Sequence, residues 1–101
     1  MYKLVFRQKY QENAQEEFLV LEREFQKFER EDPKAPKGKR YAPYLSAFPQ
    51  NMLIWECEFD TLEEAIRAKQ FLEENQTHEE LLRQQIRYFV ESYAEIYKEI
   101  D

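Results

Sequence analysis

Arg7, Glu56 and Glu95 are the polar side chains whose types and spacing suggest a site. Arg7 lies in an alternating segment, Tyr2–Tyr10, and Glu56 lies in another, Asn51–Asp60. If the first strand is central, its neighbours can place a carboxylate on each side of the guanidinium, and such pairs make strong charge-assisted hydrogen bonds. That group would anchor a small polar or anionic ligand. It could equally be an ion network that sets strand register. The structural reading is favoured, because buried charges need partners whatever their role. Tyr44 and Tyr97 complete the candidate pocket residues.

Other reactive groups point to less. Glu56 and Glu58 share a strand face, as an acid and base pair could, but no nucleophile or oxyanion donor accompanies them. His78 is the only histidine and Cys57 the only cysteine. A metal site usually wants more nitrogen or sulfur ligands than these two provide, so no metal and no cofactor are expected. His78, followed by Glu79 and Glu80, is read as a solvated histidine at a helix start. Cys57, on the apolar face of its strand, is read as a small hydrophobe rather than a nucleophile. Ser46 and Ser92 sit in no nucleophile elbow. With one glycine in the chain, no Gly-rich phosphate loop is possible. The basic run Lys34, Lys37, Lys39 and Arg40, followed by Tyr41 and Tyr44, could bind phosphate or RNA by charge and stacking. A solvated loop balancing an acidic body is the preferred reading.

The body is indeed acidic. Net charge is −6, and residues 41–101 carry thirteen acidic against five basic side chains. Duplex nucleic acid is a poor partner for such a surface, since each phosphate contact needs a cation. At 101 residues the chain, 1–101, is a single domain. Eight Phe and seven Tyr are more rings than so small a body easily encloses, so some are expected to meet a partner. The N-terminal stretch lacks the apolar core of a signal peptide, and no segment has the length of a membrane span. A lone thiol fits the cytoplasm.

These groups must be positioned by regular elements. In Tyr2–Tyr10, Tyr2, Leu4 and Phe6 face one way, and Lys3, Val5, Arg7 and Lys9 the other. Asn13 is expected to open a helix with Glu16 as capping-box partner. Its stripe is Ala14, Phe18, Leu21, Phe25 and Phe28, with Gln15, Glu22 and Lys27 filling the polar remainder. Pro33 ends it near Asp32. DPKAPKGKR is a loop, and Tyr41–Ala47 a short or edge strand because of Pro43. Phe48–Asn51 is a turn. The strand Asn51–Asp60 puts Leu53, Trp55, Cys57 and Phe59 on one face and Met52, Ile54, Glu56 and Glu58 on the other. Thr61 caps a helix to about Glu74, with Glu64 as partner and a stripe of Leu62, Ala65, Ile66, Lys69 and Leu72. Asn75 and Gln76 break it. Thr77 caps a third helix with Glu80, with a stripe of Leu82, Ile86, Phe89 and Val90. The tail Tyr93–Ile100 satisfies both helical and strand periodicities.

With the tail as a strand, the order is strand, helix, strand, strand, helix, helix, strand: an α+β, ferredoxin-like βαββα(α)β fold with a four-stranded antiparallel sheet. Helices cover one face. The other is left open, carrying Val5, Arg7, Ile54, Glu56 and Glu58, with Tyr44, Glu95 and Tyr97 able to join them.

With this order of elements, and with WECEFDTLEEAIRA followed by RYFVESYAEIYKEID, the chain resembles the dimeric α/β-barrel superfamily. The resemblance implies a homodimer closed through the open sheet faces, and it tips the tail towards a strand. Members include cofactor-independent monooxygenases, heme-degrading enzymes and other small-ligand proteins. The expected function is therefore a cytoplasmic homodimer that binds a small organic ligand or serves as an interaction module, without assigned catalysis. The alternative is a cofactor-independent oxygenase acting on an aromatic or hydrophobic substrate, with Arg7, Tyr44, Glu56, Glu95 and Tyr97 lining its pocket. A weaker one is a nucleic-acid-binding accessory using residues 34–40. No membrane partner is expected.

Overall fold

The strand β1 (Tyr2–Tyr10) is the one around which the sheet is assembled. The computed structural model describes residues 1–101. In chain order β1 is followed by α1 (Gln15–Glu31), β2 (Lys39–Tyr41), β3 (Met52–Phe59), α2 (Leu62–Glu74), α3 (Gln76–Gln85) and β4 (Phe89–Lys98). The four strands form one sheet in the order β2-β3-β1-β4, with every pairing antiparallel. This is the expected ferredoxin-like α+β architecture. The tail is a strand. Its alternation prevails because β1 offers a full ladder of partners from Tyr2 opposite Lys98 to Lys9 opposite Glu91.

Register divides the side chains into rows. On the helix-facing side, Arg40, Trp55, Phe6 and Ala94 lie across the four strands in one row, followed by Leu53, Gln8 and Ser92 across three. On the open side, Lys39, Glu56, Val5 and Glu95 form one row, and Tyr41, Ile54, Arg7 and Tyr93 the next. Buried side chains gather under the helices in two clusters. Leu4, Phe28, Ala35, Trp55, Ala68 and Leu72 make one. Tyr10, Phe18 and Leu53 make the other, where Tyr10 stacks on Phe18 at 4.4 Å.

The helices begin and end for local reasons, not always the expected ones. Thr61 caps α2 as its spacing predicts: its hydroxyl accepts from the Glu64 backbone N–H at 3.2 Å and donates to the Glu64 carboxylate at 3.1 Å. Asp32 ends α1 in extended geometry, as the following Pro33 requires. Four caps and stripes differ from expectation. Of the stripe Leu82, Ile86, Phe89 and Val90 only Leu82 lies on α3, which stops at Gln85; Ile86 falls in a 3-10 turn, and Phe89 and Val90 open β4. Asn13 caps nothing: residues Glu12–Ala14 form a 3-10 turn, and no side chain caps α1. Asn75 does not merely break α2 but caps α3, its side chain accepting from the His78 N–H at 3.0 Å, so Thr77 lies inside the helix. In α2 the buried line is Ala65, Ala68 and Leu72, whereas Leu62 and Ile66 stay exposed and Lys69 pairs with Glu73.

The second strand is shorter and earlier than Tyr41–Ala47. Lys39–Tyr41 is all that pairs with β3, and Pro43 follows after Ala42. Residues 42–51 are an irregular connection, so Tyr44 is not on the sheet; it is 84% exposed and its neighbour Leu45 91%.

A buried ion network and a cavity under the sheet

The strongest polar constellation lies on the helix side of the sheet, opposite to the face singled out from the sequence. Arg40 points inward from the edge strand beside Trp55. Glu22 and Glu29 point inward from α1, each only 7% exposed. They fall on the stripe Phe18, Glu22, Phe25, Glu29, which keeps helical spacing throughout, so the face that buries the rings buries the carboxylates too. Arg40 Nε donates to Glu22 at 2.6 Å, Nη1 donates to Glu29 at 3.3 Å, and Nη2 donates to the other Glu29 oxygen. Burial works to lower the Arg40 pKa, but the hydrogen bonds and charges of Glu29 and Glu22 outweigh it and hold the pKa above the ordinary value.

The carboxylates are satisfied by neutral donors as well. Glu29 Oε1 also accepts from the Gly38 backbone N–H and from Trp55 Nε1, both at 3.2 Å. Glu22 Oε1 accepts from Gln85 Nε2 at 3.0 Å, and the same amide nitrogen reaches the Phe18 carbonyl at 3.4 Å. Gln85 is fully buried, and its Oε1 has no partner.

A cavity of about 250 Å³ opens beside this network. Phe6, Trp55 and Ala94 form its sheet wall, with Gln8 and Ser92 from the next row. Phe25 and the two carboxylates enter from α1, Leu72 and Glu73 from α2, and His78, Glu79, Leu82 and Gln85 from α3. Phe6 stacks on Trp55 at 5.2 Å, and the His78 ring lies 5.0 Å from Phe25. His78 is thus not the solvated histidine expected from its position. Its ring packs against Phe25 and Phe28 of α1, and burial lowers its pKa, with the Glu29 charge acting in the other direction. No group of three or more His, Cys, Asp or Glu side chains converges as a metal cage.

The residues singled out from the sequence lie elsewhere. Glu56 and Glu95 both stand opposite Val5, flanking it across the open face. Arg7 pairs with Glu95 alone, at 2.6 Å. Glu56 pairs with Lys3 at 3.3 Å, so the expected three-member group is two separate pairs. Tyr97 donates to Glu95 at 2.7 Å, which raises the pKa of the phenol. The guanidinium of Arg7 lies between Phe48 and Tyr93, at 5.2 and 5.5 Å from the ring centres. None of Arg7, Tyr44, Glu56, Glu95 and Tyr97 lines the cavity. Cys57, on the helix side, donates to the Lys37 carbonyl at 3.4 Å, and burial followed by the Glu29 charge pushes its thiol pKa up. The basic run is also dispersed: Arg40 is taken into the core, and Lys37 donates to the carbonyls of Asp32 and Ala35.

Solved structures share this fold. A crystal structure of an antibiotic biosynthesis monooxygenase is 12% identical, with all of both chains covered and a TM-score of 0.72. A NIPSNAP domain protein from Burkholderia xenovorans is 8% identical over 99% of this chain and 95% of its own, with a TM-score of 0.77. A NIPSNAP family protein from Agrobacterium tumefaciens is 14% identical over 99% and 86%, with a TM-score of 0.72. No protein-family model and no curated protein matches the chain. The chain thus shares the ferredoxin-like α+β fold of these structures.

Proposed function

We propose that this protein is a cytoplasmic homodimer that holds a small, ring-bearing organic ligand between its sheet and its helices. The observation that carries this reading is the cavity of about 250 Å³, walled by Phe6, Phe25, Trp55, Leu72 and Leu82 and bounded by a fixed polar network. Apolar walls with a few convergent polar groups are the usual make-up of small-molecule sites. A dry cavity of about 150 Å³ already admits benzene, so this one has room for a substituted ring.

The dimer is supported by the open sheet face, where Tyr41, Tyr93 and Tyr97 are each about half exposed around Val5 and Ile54. In this reading the Arg7–Glu95–Tyr97 group belongs to the contact between subunits rather than to the ligand. The lone free thiol supports a reducing compartment. No helix is long and apolar enough to cross a membrane.

The test is a fragment screen by ligand-observed NMR, comparing the wild type with Ala94→Phe, which fills the cavity from the sheet side. Aromatic fragments that bind the wild type and are lost in the variant support the site. Binding that survives the added ring places the ligand elsewhere. The second reading, a cofactor-independent oxygenase, is favoured by one observation: an imidazole kept neutral at the wall of an apolar cavity can take a proton from a bound substrate. Oxygen uptake that depends on His78 would select it.

A further inference from the structure

We infer that the cavity is built for an organic amine, a ring or short apolar group bearing an ammonium head, and that it turns away carboxylates and phosphates. The inference rests on the ligand-binding reading above and gives it a substrate class. Three observations carry it.

Charge is the first. The walls carry Glu22, Glu29, Glu73 and Glu79 against Arg40 alone; Glu73 and Glu79 pair with Lys69 and Arg83, which stand outside the lining, so the surroundings remain acidic with four carboxylates to three cations. Donor use is the second. Each guanidinium nitrogen of Arg40 already donates to Glu22 or Glu29, and the Trp55 indole and the Gln85 amide nitrogen are spent on the same two carboxylates. An anion that used these three Arg40 hydrogen bonds would have to displace a buried carboxylate; the two remaining Nη protons sit on a cation already neutralised by Glu22 and Glu29, and the other donors of the lining, on Gln8, His78 and Ser92, bring no fixed positive charge. The buried arginine is thus matched by two carboxylates of the protein itself and does not mark an anion site.

The third is the Gln85 carbonyl. Nitrogen and oxygen of an amide are assigned from their neighbours. Both neighbours of Gln85 on one side, the Phe18 carbonyl and Glu22 Oε1, are acceptors, so the nitrogen must face them. The oxygen is left over: Gln85 is 0% exposed, lines the cavity, and its Oε1 receives no hydrogen bond. A buried acceptor without a donor is costly, and a ligand that brings an N–H removes that cost. The ring of Phe25 and the indole of Trp55 suit the same head, since a cation is drawn to aromatic faces.

The experiment compares three ligands of matched shape by calorimetric titration of the intact protein: phenethylamine, phenethyl alcohol and phenylacetate. The wild type is expected to bind the amine about tenfold more tightly than the carboxylate. Gln85→Met, which keeps the side-chain length and loses the acceptor, is expected to erase most of that preference. Ala94→Phe is expected to abolish binding of all three. Equal affinities, or a preference for phenylacetate, overturn the amine assignment and leave the cavity as the binding site. An amine preference that persists in Ala94→Phe reveals general attraction to an acidic surface and overturns it too. Preference retained in folded Gln85→Met overturns the role of that carbonyl. If none of the three binds the wild type, the inference and the binding reading fall together.

Discussion

Gly38 lies flat against the indole of Trp55, so closely that a Cβ at position 38 would stand 2.1 Å from the ring. No backbone conformation forbids a larger residue there; proximity does. The Gly38 N–H and the Trp55 indole N–H both donate to Glu29 Oε1, so the contact also holds the carboxylate in place. Gly38→Ala is expected to cost about 1–3 kcal/mol, the usual range for overpacking a rigid site. Urea unfolding checks this, and an unchanged midpoint would mean the loop moves aside freely.

Removing Arg40 should be far worse than removing the whole network. Arg40→Met leaves Glu22 and Glu29 buried without their cation, and breaking one side of such a group costs about 3–5 kcal/mol. Adding Glu22→Gln and Glu29→Gln to that variant should recover much of the loss. Equal stability of the single and triple variants in denaturant would show that the network is solvated rather than buried.

The histidine gives a pH dependence of definite sign. Burial holds the His78 pKa below its ordinary 6.5. Between that value and the lowered one, the unfolded chain binds a proton that the folded chain does not. Stability is therefore full above about pH 6.5 and falls on acidification, by at most about 1.4 kcal/mol per pH unit, until the lowered pKa is passed. His78→Phe should flatten this segment of the stability curve. A wild type and variant that fall in parallel from pH 7 to 5 would assign the effect to other groups.

The third helix offers a test of its cap. Asn75→Ala should destabilise by about 1 kcal/mol, because the His78 N–H loses its acceptor. Thr77→Ala, one turn position later, should change stability by less than about 0.5 kcal/mol. A reversed ranking in thermal melts would move the helix start to where the sequence alone suggests it.

The dimer proposal predicts that a new charge on the open face separates the subunits. Tyr93→Asp sits in the row of Tyr41, Ile54 and Arg7. Sedimentation velocity should show the wild type at twice the monomer mass and the variant at the monomer mass. A wild type that sediments as a monomer at micromolar concentration would remove the open face as the explanation for its exposed rings.

The strands could be read from the sequence because alternation is local: Leu4, Phe6, Trp55 and Cys57 face the helices as their spacing requires. The tail was ambiguous on its own, and only the row of partners along β1 decides it. The buried ion network escapes a reading of the sequence for a different reason. Glu22 reads as part of the polar remainder of the helix and Glu29 draws no notice, although their place on the stripe of Phe18 and Phe25 is itself a signal of burial. Their partner Arg40 stands eighteen and eleven residues away in a basic loop, and nothing local joins a loop cation to helix carboxylates. Arg7 and Glu95 were paired correctly. Glu56 was assigned to the wrong cation because Val5 stands opposite both carboxylates, leaving Lys3 and Arg7 equally placed to take one each.

The central position of β1 has a consequence for how the chain is made. Its two neighbours are β3 and β4, so β1 is completed only when residue 98 has been synthesised. Until then Leu4 and Phe6 have no sheet to join on one side, and the ladder closes over nearly the full length of the chain. Such distant pairing makes folding slow for a body of this size and lengthens the interval in which an unpaired strand can meet a second nascent chain. Lys3, Arg7 and Lys9, alternating with those apolar residues, keep that waiting strand charged along one side while it is alone.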